Sequence, residues 1–376
     1  MSDSLRQSEA ARLARRSQRL HWLVIGGGLL FCGIVSTAQA QQGTQADTKK
    51  REMTAALVAD RPHQVGYRRQ DFKFANAAGE QRTRQLDLWY PTQEPEQRYE
   101  YKGPLNINGQ AGFAKEGAAV APGEHPLLLF SHGFLGTSDQ SIFLTEACAR
   151  AGYIVAAMNH ADSLGTRGQG KREVPNFGDY KNWTDDKFRD RHEDITALLN
   201  QMLKWNMTAD SDWSGHIDES LIGGMGHSLG GYTMLGLAGG WKSWKEPRLK
   251  AAVLLSPYAH PFISQGDAGN VSIPVMLQGG TLDVGITPFL TPVYRKLSGP
   301  KVLLVLKNET HFGWTNLISL GKTTKECVAD GNAELMTKYT IDFFDQHLLA
   351  VDRSAVLEKG NSRLESYRFE SKSNGN

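Results

Sequence analysis

The sequence predicts an α/β protein: a mostly parallel central sheet with helices on both faces and no large cap domain. Short runs, continuously apolar but for Lys301, recur at residues 126–130, 153–158, 251–255, 274–277 and 301–306. Unbroken runs of this kind, rather than alternating ones, suit strands covered on both faces. Between them lie stretches with helical spacing. Ile195, Leu198, Leu199, Met202 and Leu203 fall at i, i+3, i+4, i+7 and i+8, one face of a helix. Strand followed by helix, repeatedly, is the pattern of a parallel sheet, because parallel neighbours need a crossover between them.

The first 40 residues are set apart from this fold. Arg6, Arg12, Arg15, Arg16 and Arg19 form a basic segment, residues 23–35 are apolar, and Ala38-Gln39-Ala40 supplies small residues where a signal peptidase reads. The apolar run is too short for a comfortable membrane span. We expect a signal peptide over 1–40, cleaved after Ala40, and export to the periplasm or medium with no stable membrane span afterwards. The whole chain has 42 Lys+Arg and 40 Asp+Glu; residues 1–40 hold five of the arginines and two of the acids, which leaves 37 basic against 38 acidic. Such a surface carries no field for a nucleic acid or other polyanion.

After the leader, residues 41–62 read as a polar lead-in, and 63–350 as one catalytic domain. Residues 67–74 and 84–90 alternate as two antiparallel strands would. Residues 91–123 are rich in Pro, Gly and Glu and are expected to form a long surface loop bordering the site. Residues 161–187, with four glycines among charges, read as a loop rather than a lid helix. Leu335, Met336, Tyr339 and Phe343 mark the last amphipathic helix, and 351–376 a polar C-terminal tail. Cys148 and Cys327 are read as buried thiols, with pairing left open.

The chemistry-bearing segment is Gly226-His227-Ser228-Leu229-Gly230-Gly231. G-x-S-x-G is a weak signal alone. Here it follows an apolar strand and opens a helix, the strand–turn–helix setting in which a serine hydroxyl is exposed on a strained turn. A serine hydroxyl needs a base, and the base needs an orienting group. Of the histidines that follow, His347 lies in the last helix and His260 directly after a strand. His311 sits in a short loop beyond the last apolar strand, at the carboxyl end of the sheet, and is the expected base. Asp283, 28 residues earlier, is the expected acid in the order Ser, acid, His, with Asp267 its rival. Ser131-His132-Gly133-Phe134-Leu135-Gly136 ends the first apolar strand. It is expected to give the Phe134 N–H to an oxyanion hole completed by the Leu229 N–H, with His132 holding the loop by hydrogen bonding. Phe134, Tyr258, Phe312 and Trp314 are candidates to wall an apolar acyl pocket.

These segments, with 152–160 and His311-Phe312, resemble secreted dienelactone-hydrolase-like proteins, bacterial relatives of platelet-activating-factor acetylhydrolases and cutinase-like polyesterases. The likeness runs from about Val65 to Leu349. It implies the α/β-hydrolase fold and a carboxylic ester hydrolase that uses no metal or organic cofactor. Two departures matter. Dienelactone hydrolases proper have a cysteine where this chain has Ser228. Animal acetylhydrolases place the acid after the preceding strand, where this chain has Ser256-Pro257; Asp283 is similar to the cutinase-like arrangement. The expected function is therefore an exported serine esterase acting on a small-molecule, lipid or polymer ester through an acyl-enzyme. The competing expectations are an amidase or peptidase on the same three residues, and a secreted ligand-binding module without catalysis.

Overall fold

The computed structural model describes residues 61–102, 110–166, 173–329 and 331–371, together with 52, 55, 58 and 59. The chain divides into two units, residues 1–56 and 57–376. The leader expected over 1–40 and most of the lead-in lie outside the described residues. The second unit carries one eleven-stranded sheet.

Its strands are β1 (Gln64–Ala75), β2 (Gln81–Thr92), β3 (Gln97–Tyr101), β4 (Gln110–Glu116), β5 (His125–Ser131), β6 (Ile154–Met158), β7 (Ile217–His227), β8 (Leu249–Leu255), β9 (Val275–Gly280), β10 (Lys301–Leu306) and β11 (Leu364–Glu370). They run in the order β11-β10-β9-β8-β7-β5-β6-β2-β1-β4-β3. The six central strands from β6 to β10 are parallel. β2 pairs antiparallel with β6, and β1 with β2 in a register running from Gln64 opposite Thr92 to Ala75 opposite Gln81.

The helices are α1 (Ile142–Arg150), α2 (Arg189–Met207), α3 (Leu229–Leu235), α4 (Pro261–Ser264), α5 (Thr287–Lys296), α6 (Thr324–Val328), α7 (Gly331–His347) and α8 (Ser354–Leu357). Period-two alternation along β5 shows how they cover both faces. Leu127 and Leu129 join a core with Ile195, Leu198 and Met202 of α2 and Leu290 of α5. Leu128 and Phe130 join a second core with Phe143 and Leu144 of α1 and Leu335, Met336 and Phe343 of α7. All five residues of the stripe identified on α2 are buried.

Two stretches depart from the sequence reading. Residues 91–123 are not an irregular loop: β3 and β4 form an antiparallel hairpin there, and β4 continues the sheet beside β1. Edge strands half open to solvent need no long apolar run, so this pair is masked by its polar residues. Residues 351–376 are not simply a tail, for β11 pairs antiparallel with β10 over most of its length. Its sequence, Leu-Glu-Ser-Tyr-Arg-Phe-Glu, is that of an edge strand with one half-covered face. Within 161–187, a 3-10 turn forms at Leu164–Thr166 and a kinked pair of them at Phe177–Asn182, and residues 167–172 lie outside the described residues. No disulfide joins Cys148 and Cys327, and both are buried.

The strand order places the site. The chain leaves β5 for β6 on one side and returns to β7 on the other. Beyond the carboxyl ends of β5 and β7 the connections therefore diverge and leave a crevice, the usual position of a ligand in an open α/β sheet.

Candidate active site

Ser228 stands at the end of β7, in the turn into α3, with φ 54° and ψ −116°. A non-glycine residue in this region stores of order 1–3 kcal/mol of backbone strain and persists only where its surroundings hold it. Its N–H donates to Leu255 O at 3.0 Å, and its carbonyl accepts Tyr232 N–H at 3.1 Å and Tyr258 N–H at 2.9 Å. The turn is possible because α3 passes very close to the sheet. A Cβ on Gly226 would overlap the Gly230 carbonyl, and one on Gly230 would overlap Ser131 O. The two glycines of the G-x-S-x-G segment are thus fixed by sterics.

His311 opens a 3-10 turn beyond β10, and Asp283 lies three residues beyond β9. The structure brings both to Ser228. His311 Nε2 is 2.9 Å from Ser228 Oγ, and His311 Nδ1 is 2.6 Å from Asp283 Oδ2. Ser228 and Asp283 are buried, while the His311 ring is about a quarter exposed. With an ionised carboxylate on Nδ1, that nitrogen carries the proton and Nε2 presents its lone pair to the serine hydroxyl. This arrangement can move a proton from oxygen to imidazole and back.

The other histidines and the rival acid are held elsewhere. His260 Nε2 donates to Gly285 O at 3.0 Å, and its ring stacks on Tyr258 with centroids 4.5 Å apart. His347 packs against Phe343. Asp267 accepts the Gly269 N–H at 2.8 Å as a turn cap. His227 Nε2 donates to the His311 carbonyl at 2.9 Å and so fixes the backbone of that loop.

The loop after β5 lies across the crevice from Ser228. Gly133 N–H donates to Gln140 Oε1 at 3.0 Å, and Gly133 O accepts the Gly136 N–H at 3.0 Å. Behind it, Arg191 is fully buried and forms a two-pronged pair with Asp162 at 3.0 and 2.7 Å. Burial pushes the Asp162 carboxyl up, but the charge and hydrogen bonds of Arg191, with the neighbouring His132 and His160, together outweigh it and hold the group well below its usual range. Leu229 is the first residue of α3, and its N–H belongs to the first-turn donors that have no carbonyl four residues back.

A cleft of about 630 Å³ opens over Ser228 and His311. Phe134, Leu135, Ile142, Leu164, Phe177 and Phe312 give it apolar walls. Two of the four suggested pocket aromatics, Phe134 and Phe312, line it. The other two do not. Tyr258 is buried, with its hydroxyl on Phe177 O at 2.6 Å, and Trp314 is fully buried, with Nε1 on Gln278 Oε1 at 2.9 Å. The hairpin that replaces the expected loop at 91–123 does reach the cleft, through Tyr101 and Gln110. Asp139, the one acid among the described residues that line the cleft, is paired with Arg69 at 2.6 Å.

A model of the PETase family, described as PET hydrolase-like, matches residues 179–344. Cutinase 1 of Thermobifida cellulosilytica is 30% identical over 187 residues, covering 48% of this chain and 58% of that protein. Cutinase est1 of Thermobifida alba is 30% identical over 189 residues, covering 49% of this chain and 53% of that one. The chain thus spans little more than half the length of these curated relatives. A ferulic acid esterase structure from Streptomyces cinnamoneus, 20% identical, superposes with a TM-score of 0.60 over 81% of this chain and 96% of its own. The chain has the α/β-hydrolase fold, and over part of its length it is similar to the PET hydrolase-like family and to cutinases. The stretch matched by the family model holds Ser228, Asp283 and His311; the loop after β5 lies outside it.

Two residues of this α/β-hydrolase site escaped the sequence reading. Ser256 follows β8 with φ 43°, donates its hydroxyl to Asp283 Oδ2 and lies 3.2 Å from His311 Nδ1. Its signal was its position at a strand's carboxyl end, at the other place where an acid could stand. Arg191 lies on the apolar stripe of α2, four and seven residues before Ile195 and Leu198. A charge on a buried face must find a partner there, which is how it could have been noticed.

Proposed function

We propose that this chain is an exported serine carboxylic ester hydrolase that works through an acyl-enzyme. The observation that carries the reading is the line Ser228–His311–Asp283, with both hydrogen bonds made at the mouth of an apolar cleft. In the cycle, His311 Nε2 takes the proton of Ser228 as Oγ attacks the ester carbonyl. The oxyanion is held by the N–H groups of Phe134 and Leu229. His311 then gives its proton to the departing alcohol oxygen. Water enters, is deprotonated by His311 in turn, and releases the acid from Ser228. Asp283 keeps the proton of the imidazole on Nδ1 and stabilises the imidazolium.

The relatives named cutinase and ferulic acid esterase, and the PET hydrolase-like family model, support an ester as substrate. The cleft supports an uncharged acyl group: its walls are apolar, and its acid is engaged by Arg69. Export is supported by the basic and then apolar segment ending in Ala38-Gln39-Ala40. Among the described residues, no helix is long and apolar enough to cross a membrane.

A fluorophosphonate probe tests the nucleophile. Peptide mapping should find the adduct on Ser228, and unlabelled protein would remove the catalytic reading in favour of a binding module. A panel of 4-nitrophenyl esters and anilides tests the substrate class. Butyrate should exceed the charged succinate, and esters should exceed anilides; the reverse order in the second pair would make the chain an amidase.

Ser256 adds an expectation. Its hydroxyl donates to the same carboxylate oxygen that accepts the His311 proton, so it restrains the acid without touching substrate. Ser256→Ala should lower kcat by about tenfold and leave KM within about twofold, as for loss of support felt only in the transition state. Steady-state kinetics on the butyrate ester reads both.

A further inference from the structure

An oxyanion hole is a matter of peptide orientation. In a trans peptide the C=O and N–H point in opposite directions, so whatever grips the carbonyl aims the amide hydrogen. The Leu229 N–H shares its peptide with the Ser228 carbonyl, which Tyr232 and Tyr258 hold from behind. The Phe134 N–H shares its peptide with the Gly133 carbonyl. That oxygen accepts three N–H groups: Gly136 N–H at 3.0 Å, His132 Nδ1–H at 2.7 Å and Arg191 Nη2–H at 3.2 Å. The shortest of the three comes from a side chain.

The proton on His132 Nδ1 follows from its other contact. The backbone N–H of His160 points at His132 Nε2 at 2.9 Å, and a backbone N–H can only donate. Nε2 therefore accepts and Nδ1 donates. Burial and the nearby Arg191 charge hold the ring well below its ordinary pKa, which keeps it neutral and in this one tautomer. Arg191 is fixed in its turn by Asp162 and also donates to His132 O at 2.7 Å.

We propose that His132 is a positioning residue, which with Arg191 grips the Gly133 carbonyl and so aims the Phe134 N–H at the developing oxyanion. This rests on the ester-hydrolase reading and extends it to a specified buried device. The two hydrogen bonds of His132 do different jobs: one orients the donor peptide, the other only ties β5 to the end of β6.

Two substitutions separate those jobs. In His132→Asn, the amide Nδ2 falls near the position of Nδ1 and still donates to Gly133 O. In His132→Gln, the amide oxygen reaches the position of Nε2 and serves His160 N–H, while Gly133 O loses its closest donor. Loss of an entire oxyanion-hole donor lowers kcat by about 10²–10³-fold, so a misaimed one should lower it by about 10–100-fold. With 4-nitrophenyl butyrate, His132→Gln should show that loss in kcat with KM within about twofold. His132→Asn should recover most of it. Arg191→Lys keeps a cation beside Asp162 but loses the fork onto the two carbonyls. It should fall in the same way, and it reads the proposal if the His132 variants do not fold. The inference is overturned if folded His132→Gln and His132→Asn lose kcat equally, or if the folded variants keep wild-type kcat. Failure of the wild-type chain to hydrolyse any ester would instead remove the ester-hydrolase reading itself.

Discussion

Ser228→Ala should lower kcat on 4-nitrophenyl butyrate by about 10⁴-fold or more while leaving the fold intact, because the residues of such a line act as one unit. The alanine methyl fits the space of the serine Cβ, and the Ser228 backbone stays gripped by Leu255, Tyr232 and Tyr258. The same logic predicts that His311→Ala added to Ser228→Ala lowers the rate no further. Without the hydroxyl oxygen, the imidazole 2.9 Å away has no proton to take. What remains should be the weak catalysis supplied by binding and the two backbone N–H groups. Rates for the single and double variants, with circular dichroism as the check on folding, decide the matter. A Ser228→Ala protein that keeps a tenth of the activity would move the chemistry to another residue.

The second large effect concerns acid. Burial pushes the His125 ring down to about 4 and His227 to about 3, and holds His132 and His160 well below the ordinary histidine value. The folded protein therefore keeps these four rings neutral at pH values where the unfolded chain has protonated them. Each group is lowered on folding, so its stabilisation is full above the unfolded value near 6.5 and declines as the pH falls below it. Asp190 works in the opposite sense. Burial and the neighbouring Asp194 raise it to about 6, and it takes up a proton in the folded state over the same interval. Burial also raises Asp139, Glu146 and Asp194, each partly offset by arginine partners, and these carboxyls oppose the trend. His260 and His347, which burial lowers to about 4, add to the same side, so the lowered imidazoles outnumber the raised carboxyls and the unfolded chain holds more protons below about pH 6.5. Urea midpoints at pH 7, 6 and 5 should therefore fall steeply across the last step. A flat profile would mean that these rings reach solvent in the folded state.

Much of this was legible in the sequence because burial on two faces writes itself into composition. Each of the five apolar runs became a central parallel strand, and Asp283 and His311 stand beyond carboxyl ends that two of those runs located, whereas Ser228 was marked by its own Gly-rich turn at the end of β7. Edge elements write a fainter signature. β3, β4 and β11 each show one side to water, and their charged residues hid them. The aromatics divided for a similar reason. Phe312 and Trp314 are two residues apart, yet one is 57% exposed at the cleft and the other wholly enclosed. A turn of 3-10 helix sends them in different directions, which spacing alone does not reveal. The sequence led us to expect that His132 holds the loop by hydrogen bonding, but that it does so on the Gly133 carbonyl, with Arg191 as its partner, required the third dimension.

The left-handed backbone at Ser228 sets reactivity against robustness at a single position. Glycine would sit there without steric penalty, so the residue most useful to chemistry is among those least favoured by folding. Selection for heat resistance alone would drift toward a sturdier, inert protein, and any effort to toughen this scaffold has to score turnover alongside melting.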